Sequence, residues 1–222
     1  MSLALQERLA AQLAAGLTQL QLPVSASVQT ELLRYLELLL RWNQAYNLTA
    51  VREPEEMVAR HLLDSLAVLP YVEGPDLLDV GTGPGLPGIP LALARPFQRV
   101  CLCDSNGKKA RFLREVLRHL PLSTTTVHEG RVESLRADPG YTQIISRAYA
   151  SLLDFVHSTA HLLAPQGRWL ALKGKVPHEE IAALPAGVVL TALHPLTVPG
   201  VDGERCLLVL ERREVPVASQ RL

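Results

Sequence analysis

Apolar residues recur at helical spacing through the first third of the chain. This spacing predicts a first helix near the N-terminus and a second, leucine-rich helix over residues 32–42. Pro23 breaks the chain between them, and Ser25 or Ser27 caps the second helix. A third is predicted over residues 54–69. The pattern thus predicts a helical extension over residues 1–70 that packs on the part that follows. The first helix carries these leucines: Leu5, Leu9, Leu13, Leu17 and Leu20.

From residue 71 onward, short apolar runs alternate with amphipathic segments, which is typical of an α/β fold with a parallel sheet. Five strands separated by helices are followed by two strands with no convincing helix between them, so we expect a closing antiparallel hairpin. The strands are predicted near 77–80, 99–104, 124–128, 142–147, 168–173, 188–194 and 205–212. The helices are predicted near 87–95, 107–119, 151–163 and 178–183. The core is expected to end at residue 213, before a flexible tail over 214–222.

A glycine-rich loop follows the first of these strands, and its pattern indicates a cofactor site. The loop is too poor in lysine for a P-loop, which needs Gly-Lys-Ser/Thr, and a dinucleotide fingerprint fits it only two residues late. Counted from the strand end, an acid followed by three alternating glycines is typical of proteins that bind S-adenosylmethionine (SAM). The acid would meet the ammonium group of the methionine moiety. The residues are Asp79, Gly81, Gly83 and Gly85.

Asp104 ends the second strand, about 25 residues after the loop begins, where nucleotide-binding units place the carboxylate that accepts the ribose hydroxyls. NAD and SAM both carry such a ribose, so Asp104 indicates a nucleoside without choosing between them. The hairpin favours SAM, because dinucleotide dehydrogenases usually continue with parallel strands and a separate substrate domain. The remaining length leaves no room for such a domain.

Composition restricts the possible partners. Twenty-two basic residues balance 22 acidic ones over 222 residues, so contact with nucleic acid must come from a local patch. We find no apolar run long enough for a membrane span and no charged leader, and we expect a cytoplasmic protein. Cys101 and Cys103 share a strand face and Cys206 lies far away, so buried thiols are favoured over a metal site or a disulfide.

Several motifs together resemble the bacterial small-subunit ribosomal RNA methyltransferase G family, also called glucose-inhibited division protein B. They are Arg41-Trp42-Asn43-x-x-x-Asn47-Leu48-Thr49, His61-x-x-Asp64-Ser65-Leu66, DVGTGPGLPGIPLAL from Asp79, Ile145-Ser146-Arg147-Ala148 and Leu172-Lys173-Gly174. The resemblance covers the chain to about residue 213. It implies a class I SAM-dependent methyltransferase fold, with a mostly parallel seven-stranded sheet. It also implies methylation of N7 of one guanine in the decoding-region loop of 16S rRNA.

The same resemblance implies roles for individual residues. It places Gly81 and Leu86 at the methionine end of SAM and Asp104 on its ribose. Val132 and Glu133 would surround the adenine. Arg147 would lie at the edge of the cofactor, facing the substrate. The partner would be 16S rRNA or a precursor of the small ribosomal subunit, with no DNA and no membrane, and the protein would act as a monomer.

Guanine N7 has a free lone pair and loses no proton when it attacks, so we expect no catalytic base and no metal. The enzyme would supply proximity and in-line geometry. His61, Asp64 and Ser65 share a helical face and are expected mainly to hold the helical extension on the sheet. Several basic residues also lie in the predicted helix 107–119. A helix rich in lysine and arginine is most often just a solvent-exposed face, so this helix is not favoured as the RNA contact. RNA contacts are expected instead at Asn47, His61, Arg147, Lys173, Lys175 and Arg205.

Two other functions stay open at this point. One is a SAM-dependent methyltransferase acting on a small molecule or a protein, although the low aromatic content of 5% argues against a small-molecule lid. The other is a SAM-binding ribosome assembly factor without important turnover.

Overall fold

The computed structural model of the protein describes residues 1–147 and 149–213. Ala148 and the predicted tail over 214–222 lie outside the described residues. The chain begins with two long helices, α1 (Leu3–Gln19) and α2 (Ala26–Tyr46). Ser25 caps α2, as predicted, by accepting a hydrogen bond from the Val28 N–H, which would otherwise be unpaired at the helix start. Asn47 ends α2 in the left-handed conformation, with φ of 49°.

The third predicted helix exists, but it is not a uniform α-helix. It starts as α3 (Pro54–Met57), widens into a π-helical turn (Val58–Leu63) and continues as α4 (Asp64–Leu66). A 3₁₀ turn (Leu69–Tyr71) leads to the sheet. A π-helical turn rotates the following side chains relative to an α-helix, and such turns often occur at functional sites. Here the turn carries His61 and leads directly into Asp64.

Seven strands form one sheet in the order β3-β2-β1-β4-β5-β7-β6. All pairs among β1 to β5 are parallel, and β7 is antiparallel to both β5 and β6. The predicted mostly parallel sheet with a closing antiparallel hairpin is therefore confirmed. The strands are β1 (Asp76–Val80), β2 (Arg99–Asp104), β3 (Thr125–Glu129), β4 (Tyr141–Ser146), β5 (Leu163–Lys173), β6 (Val188–Pro195) and β7 (Cys206–Arg212).

The connecting helices are α5 (Gly88–Ala94), α6 (Gly107–His119), α7 (Leu152–Thr159) and α8 (His178–Ala182). The predicted boundary between α7 and β5 was wrong. A helix to residue 163 and a strand from 168 were expected, whereas a 3₁₀ turn (Ala160–Leu162) ends the helical part and β5 begins at Leu163. Leu163 pairs with Tyr141, and a register shift follows before Arg168 pairs with Gln143. Pro165 and Gly167 lie in that irregular stretch and hid the strand from the hydrophobic pattern.

The helical extension and the sheet share one hydrophobic core. Leu9 of α1 and Leu36 of α2 are fully buried in the same cluster as Leu102 of β2 and Leu207 of β7. Gly16 of α1 lies so close to Leu63 that an added Cβ would overlap the leucine side chain. The predicted boundary at residue 70, between the helical extension and the core, therefore stays a prediction. Within the described residues, none of the helices is both long and apolar enough to span a membrane.

A buried hydrogen bond joins α7 to the sheet and gives a test of the fold. Trp169 and Thr159 are both fully buried, and the indole N–H of Trp169 donates to Thr159 Oγ1 at 2.9 Å. Replacing Thr159 with valine keeps the volume but leaves the indole N–H unpaired. We expect a loss of roughly 1 to 3 kcal/mol in the free energy of unfolding, measured by urea denaturation.

Thr30→Val is the matched control for this prediction. The Thr30 hydroxyl donates a hydrogen bond to a backbone carbonyl one helical turn earlier, but Thr30, unlike Thr159, is exposed. We expect its stability to stay within about 0.5 kcal/mol of the original protein. Equal stabilities for Thr159→Val and Thr30→Val would contradict the role given to the buried pair.

Candidate active site and cofactor cavity

The carboxylate of Asp79 holds the glycine-rich loop from beneath. Asp79 is fully buried, and its Oδ2 accepts hydrogen bonds from the Gly88 N–H at 2.8 Å and the Thr82 hydroxyl at 2.5 Å. Burial raises the pKa of Asp79 to about 6, against the opposing effects of these donors and of the Arg147 charge. Its Oδ1 has no hydrogen-bond partner among the described residues. The predicted contact with an ammonium group therefore stays a prediction, and Oδ1 is the atom available for it.

The glycines of the loop have different local roles. Gly81 has φ of 66° and no atom within 4 Å of the position that a Cβ would take, so the backbone there faces open space. Gly85 has φ of 103°, and a Cβ there would meet the side chains of Ile89 and Leu113. Both conformations disfavour any side chain. Gly81 is thus exposed to a ligand, whereas Gly85 allows the loop to pack against α5 and α6.

Asp104, at the end of β2, is also committed to the loop. Its Oδ2 accepts from the Gly83 N–H at 2.8 Å, and its Oδ1 accepts from the Asn106 N–H at 2.9 Å. Lys109 Nζ lies 3.7 Å from Oδ2. A carboxylate oxygen can accept more than one hydrogen bond, so Asp104 can still receive ribose hydroxyls.

A first cavity of about 430 Å³ opens above β1 and β2. It brings together four residues that the sequence proposed for the cofactor: Gly81, Asp104, Val132 and Glu133. The lining also includes three residues that the sequence reasoning did not assign to the cofactor: Ser105, Lys109 and Tyr149. The open backbone at Gly81 and the unpaired oxygen of Asp79 fit a nucleoside cofactor with an ammonium group, and we call this space the cofactor cavity.

Five predicted cofactor residues are not in the lining of this cavity: Asp79, which lies beneath the loop, Arg147, and the three loop residues Gly83, Gly85 and Leu86. Gly83 donates to Asp104, Gly85 packs on α5 and α6, and the Leu86 side chain is 2% exposed within the hydrophobic core. Their positions support the shape of the loop. Direct contact between the cofactor and these residues stays a prediction.

A second cavity of about 400 Å³ lies where the ends of β4 and β5 meet the start of β7, beside the π-helical turn. Four cationic side chains and one carboxylate, that of Asp64, line it. We call it the cationic cavity. Its cations are Arg60, Arg147, Lys173 and Arg205. Arg147 was expected at the edge of the cofactor and is found in this wall, close enough to Asp79 for its charge to lower the pKa of that acid against the effect of burial.

Asp64 connects two of these cations. Its Oδ2 lies 3.3 Å from Arg147 Nη1, and its Oδ1 lies 3.3 Å from Arg205 Nε. Arg147 Nη1 also donates to the Arg60 carbonyl at 3.0 Å. The predicted structural role of Asp64 is thus extended, because this residue ties the helical extension to the ends of two strands inside the cavity wall.

His61 lies in the same wall, buried at 3% exposure. Its Nε2 is 3.0 Å from Thr49 Oγ1, whose residue also lines the cavity. Burial is the main reason why the pKa of His61 is lowered to about 4, and the nearby positive charge of Arg147 acts in the same direction. The imidazole is therefore neutral near pH 7. Ser65, the third member of the predicted cluster, is fully buried and has no side-chain partner among the described residues.

Lys173 is held by an acid that the sequence did not indicate. Its Nζ donates to both carboxylate oxygens of Glu180, at 3.1 and 2.9 Å. Glu180 Oε2 also accepts from the Leu152 N–H at 2.7 Å, so it links β5 to the start of α7. The spacing of the motifs does not indicate this acid, because the contact depends on how α8 packs against the end of β5 in the folded protein.

Two predicted RNA-binding residues lie outside the cationic cavity. Asn47 is exposed and its Oδ1 accepts from Arg52 at 3.0 Å, while Lys175 is exposed beyond the end of β5. The basic face of α6 is partly neutralised, because Lys109, Arg114 and Arg118 pair with Asp104, Glu129 and Glu115 respectively. All three cysteines are free and buried, as predicted.

Several proteins that are similar in sequence to this chain are named methyltransferases. Residues 28–209 match the family model described as rRNA small subunit methyltransferase G. A Xanthomonas euvesicatoria protein named ribosomal RNA small subunit methyltransferase G is 56% identical over 189 residues, which cover 85% of this chain and 89% of that protein. A Pseudomonas aeruginosa protein of the same name is 52% identical over 202 residues, covering 90% and 94%.

Solved structures agree on the fold. TrmN from Thermus thermophilus aligns with a TM-score of 0.54 at 23% identity, over 70% of this chain and 53% of that one. The glycopeptide N-methyltransferase MtfA, complexed with S-adenosylhomocysteine, aligns with a TM-score of 0.60 at 10% identity, over 69% and 87%. These likenesses confirm the class I SAM-dependent methyltransferase fold. With the family match spanning most of its length, the chain belongs to the rRNA small subunit methyltransferase G family.

Proposed function

We propose that the protein transfers the methyl group of SAM to N7 of a guanine in the decoding-region loop of 16S rRNA. Its partner is 16S rRNA or a small ribosomal subunit precursor in the cytoplasm, and it acts as a monomer. The observation that carries the proposal is the cationic cavity beside the cofactor cavity, at one edge of the sheet. Among the described residues, four cations and one acid line it, and both oxygens of that acid are engaged by arginines. That arrangement suits an anionic substrate whose attacking atom needs no base.

The cofactor half is held by the ends of β1 and β2. Gly81 allows close approach to the backbone, Asp104 receives the ribose hydroxyls, and Asp79 Oδ1 receives the ammonium group. Val132, which is 4% exposed, and Glu133 border the adenine. SAM, when bound, supplies a methyl group on a positively charged sulfur.

Of the described residues that line the cationic cavity, none has a side chain well suited to take a proton. Asp64 is paired with two arginines, and His61 has its Nε2 hydrogen-bonded to Thr49 and its pKa lowered to about 4 by burial. A catalytic base works best with a pKa near the working pH. The cavity residues therefore serve to bind and orient the RNA, which matches the chemistry of guanine N7.

Lys173 and Arg147 hold the RNA within the cavity in this proposal. Lys173 is 18% exposed in its side chain and bound by Glu180, so a phosphate must compete with that carboxylate for it. Lys108, Arg111 and Lys175 are exposed, and no carboxylate lies within 4 Å of them among residues 1–147 and 149–213. These free cations add a general attraction for RNA phosphates without fixing the guanine.

The first test concerns the cofactor. We expect binding of SAM and S-adenosylhomocysteine but not of NAD, measured by calorimetry. Asp104→Ala should weaken SAM binding by roughly 1 to 3 kcal/mol, the range for hydrogen bonds to a charged group. Asp202→Ala, which removes an exposed acid outside both cavities, is the control and should bind SAM normally. Unchanged affinity in Asp104→Ala would move the ribose away from Asp104.

The second test compares two lysines at the end of β5. Lys173→Ala should lower the rate of single-turnover methyl transfer to 16S rRNA about tenfold or more, which corresponds to an increase of roughly 1.4 kcal/mol in the activation free energy. The affinity for SAM should stay within about 1 kcal/mol of the original protein. Lys175→Ala should weaken RNA binding modestly and keep the maximal rate, because its charge lies outside the cavity. Equal effects of both variants on the maximal rate would contradict a positioning role for Lys173.

The third test uses the buried histidine. Because the folded pKa of His61 lies below its unfolded value of roughly 6.5, protonation favours the unfolded chain and stability falls as the pH drops below that value. Between pH 7 and pH 5 this loss amounts to about 2 kcal/mol. The raised pKa of Asp79 acts in the opposite direction in every variant, so differences between variants isolate His61.

His61→Gln should therefore lose about 2 kcal/mol less than the original protein between pH 7 and pH 5, measured by urea denaturation at both pH values. His157→Gln, which changes an exposed histidine on α7, controls for the substitution itself. An identical pH dependence in His61→Gln and the original protein would show that His61 is not held neutral by the fold.

A further inference from the structure

Asp64 is a buried acid in a cavity whose other charged side chains are cations. The binding of an anionic substrate does not explain why an acid is placed there. The residue is 6% exposed, and it lies at the start of α4, directly after the π-helical turn. Taking a carboxylate out of water is costly unless it is paired. Its two partners, Arg147 and Arg205, come from segments 83 and 141 residues away in the sequence.

The geometry gives each carboxylate oxygen one arginine. Oδ2 faces Arg147, which directly follows β4, and Oδ1 faces Arg205, which directly precedes β7. Both guanidinium groups are about a quarter exposed and line the cationic cavity. Backbone carbonyls of Arg60 and Glu204 accept a second hydrogen bond from each. A guanidinium has five N–H donors, so both groups keep donors for a ligand while their positions are fixed.

We propose that Asp64 is a positioning residue for methyl transfer, whose carboxylate fixes the Arg147 and Arg205 guanidinium groups in the wall that receives the RNA. It touches neither substrate nor cofactor and takes no proton. This inference rests on the proposed function and adds one claim to it, that the two arginines must be held relative to each other and not merely be present as charges.

Charge and geometry make opposite predictions for Asp64→Asn. The substitution removes a negative charge from a wall to which the described residues contribute four cations, so attraction for RNA phosphates is kept or strengthened. It also replaces two charged contacts by one neutral acceptor and one donor that faces an arginine. The arginines then lose their fixed relation, and a small misplacement at a reaction centre lowers the rate strongly.

The experiment is single-turnover methyl transfer from radiolabelled SAM to small ribosomal subunits and 16S rRNA from a strain lacking the modification. For Asp64→Asn we expect the maximal rate to fall about tenfold or more. The substrate concentration at half-maximal rate should not rise by more than about twofold, and the SAM dissociation constant should stay within about twofold. A purely structural defect would instead weaken SAM binding and substrate binding together.

Asp202→Asn is the matched control, because it makes the same chemical change at an exposed acid outside both cavities. Its maximal rate should stay within about twofold of the original protein. In an Arg205→Gln background, Asp64→Asn should cost at least about threefold less than alone, because residues acting through one another are not additive.

If Asp64→Asn does not fold, Arg205→Lys carries the test, since lysine keeps the charge but not the planar group that meets Asp64 Oδ1. We expect its maximal rate to fall about threefold or more without weaker substrate binding. An undiminished rate in either variant, or a loss confined to substrate binding, would overturn the positioning role. Absence of transfer by the original protein would reject the proposed function itself, which separates the two failures.

Discussion

Two buried carboxylates at the ends of β1 and β2 determine the shape of the cofactor cavity. Asp79 binds the Gly88 N–H and the Thr82 hydroxyl, and Asp104 binds the Gly83 N–H, so both ends of the glycine-rich loop are fixed from inside the sheet. Burial raises the pKa of Asp79 to about 6, which shows that the fold accepts an electrostatic cost there. The backbone at Gly81 faces open space beside these braced positions, and this is where we propose that the cofactor binds.

The cationic cavity follows the same principle with the charges reversed. Its cations do not stand free: Asp64 holds Arg147 and Arg205, and Glu180 holds Lys173. Paired side chains lose less freedom when a ligand binds, so they can orient the ligand at a lower cost in conformational entropy. With equal numbers of acidic and basic residues in the chain, the protein depends on this local arrangement and not on a general basic field.

Local sequence patterns predicted most of the fold and about half of the site. The Ser25 cap, the mostly parallel sheet with its closing antiparallel hairpin, and the placing of Gly81 and Asp104 at strand ends all follow from local patterns. The start of β5 did not, because Pro165 and Gly167 mask a strand that the sheet stabilises. The contacts of Asp64 and Glu180 were also invisible, because they depend on which loops meet at the sheet edge. The Leu86 side chain turned out to be buried in the core, since local spacing does not reveal which face of a turn is covered.

We propose that this chain methylates N7 of a guanine in 16S rRNA by holding the base, without a proton acceptor. The most direct measurement is mass analysis of 16S rRNA nucleosides and of the decoding-region fragment from a strain lacking the protein, with and without its restoration. We expect one N7-methylguanosine to disappear from that fragment and to return with the original protein, but not with Lys173→Ala at equal protein level. An unchanged N7-methylguanosine content, or the loss of a methyl group from an exocyclic amine instead, would contradict it.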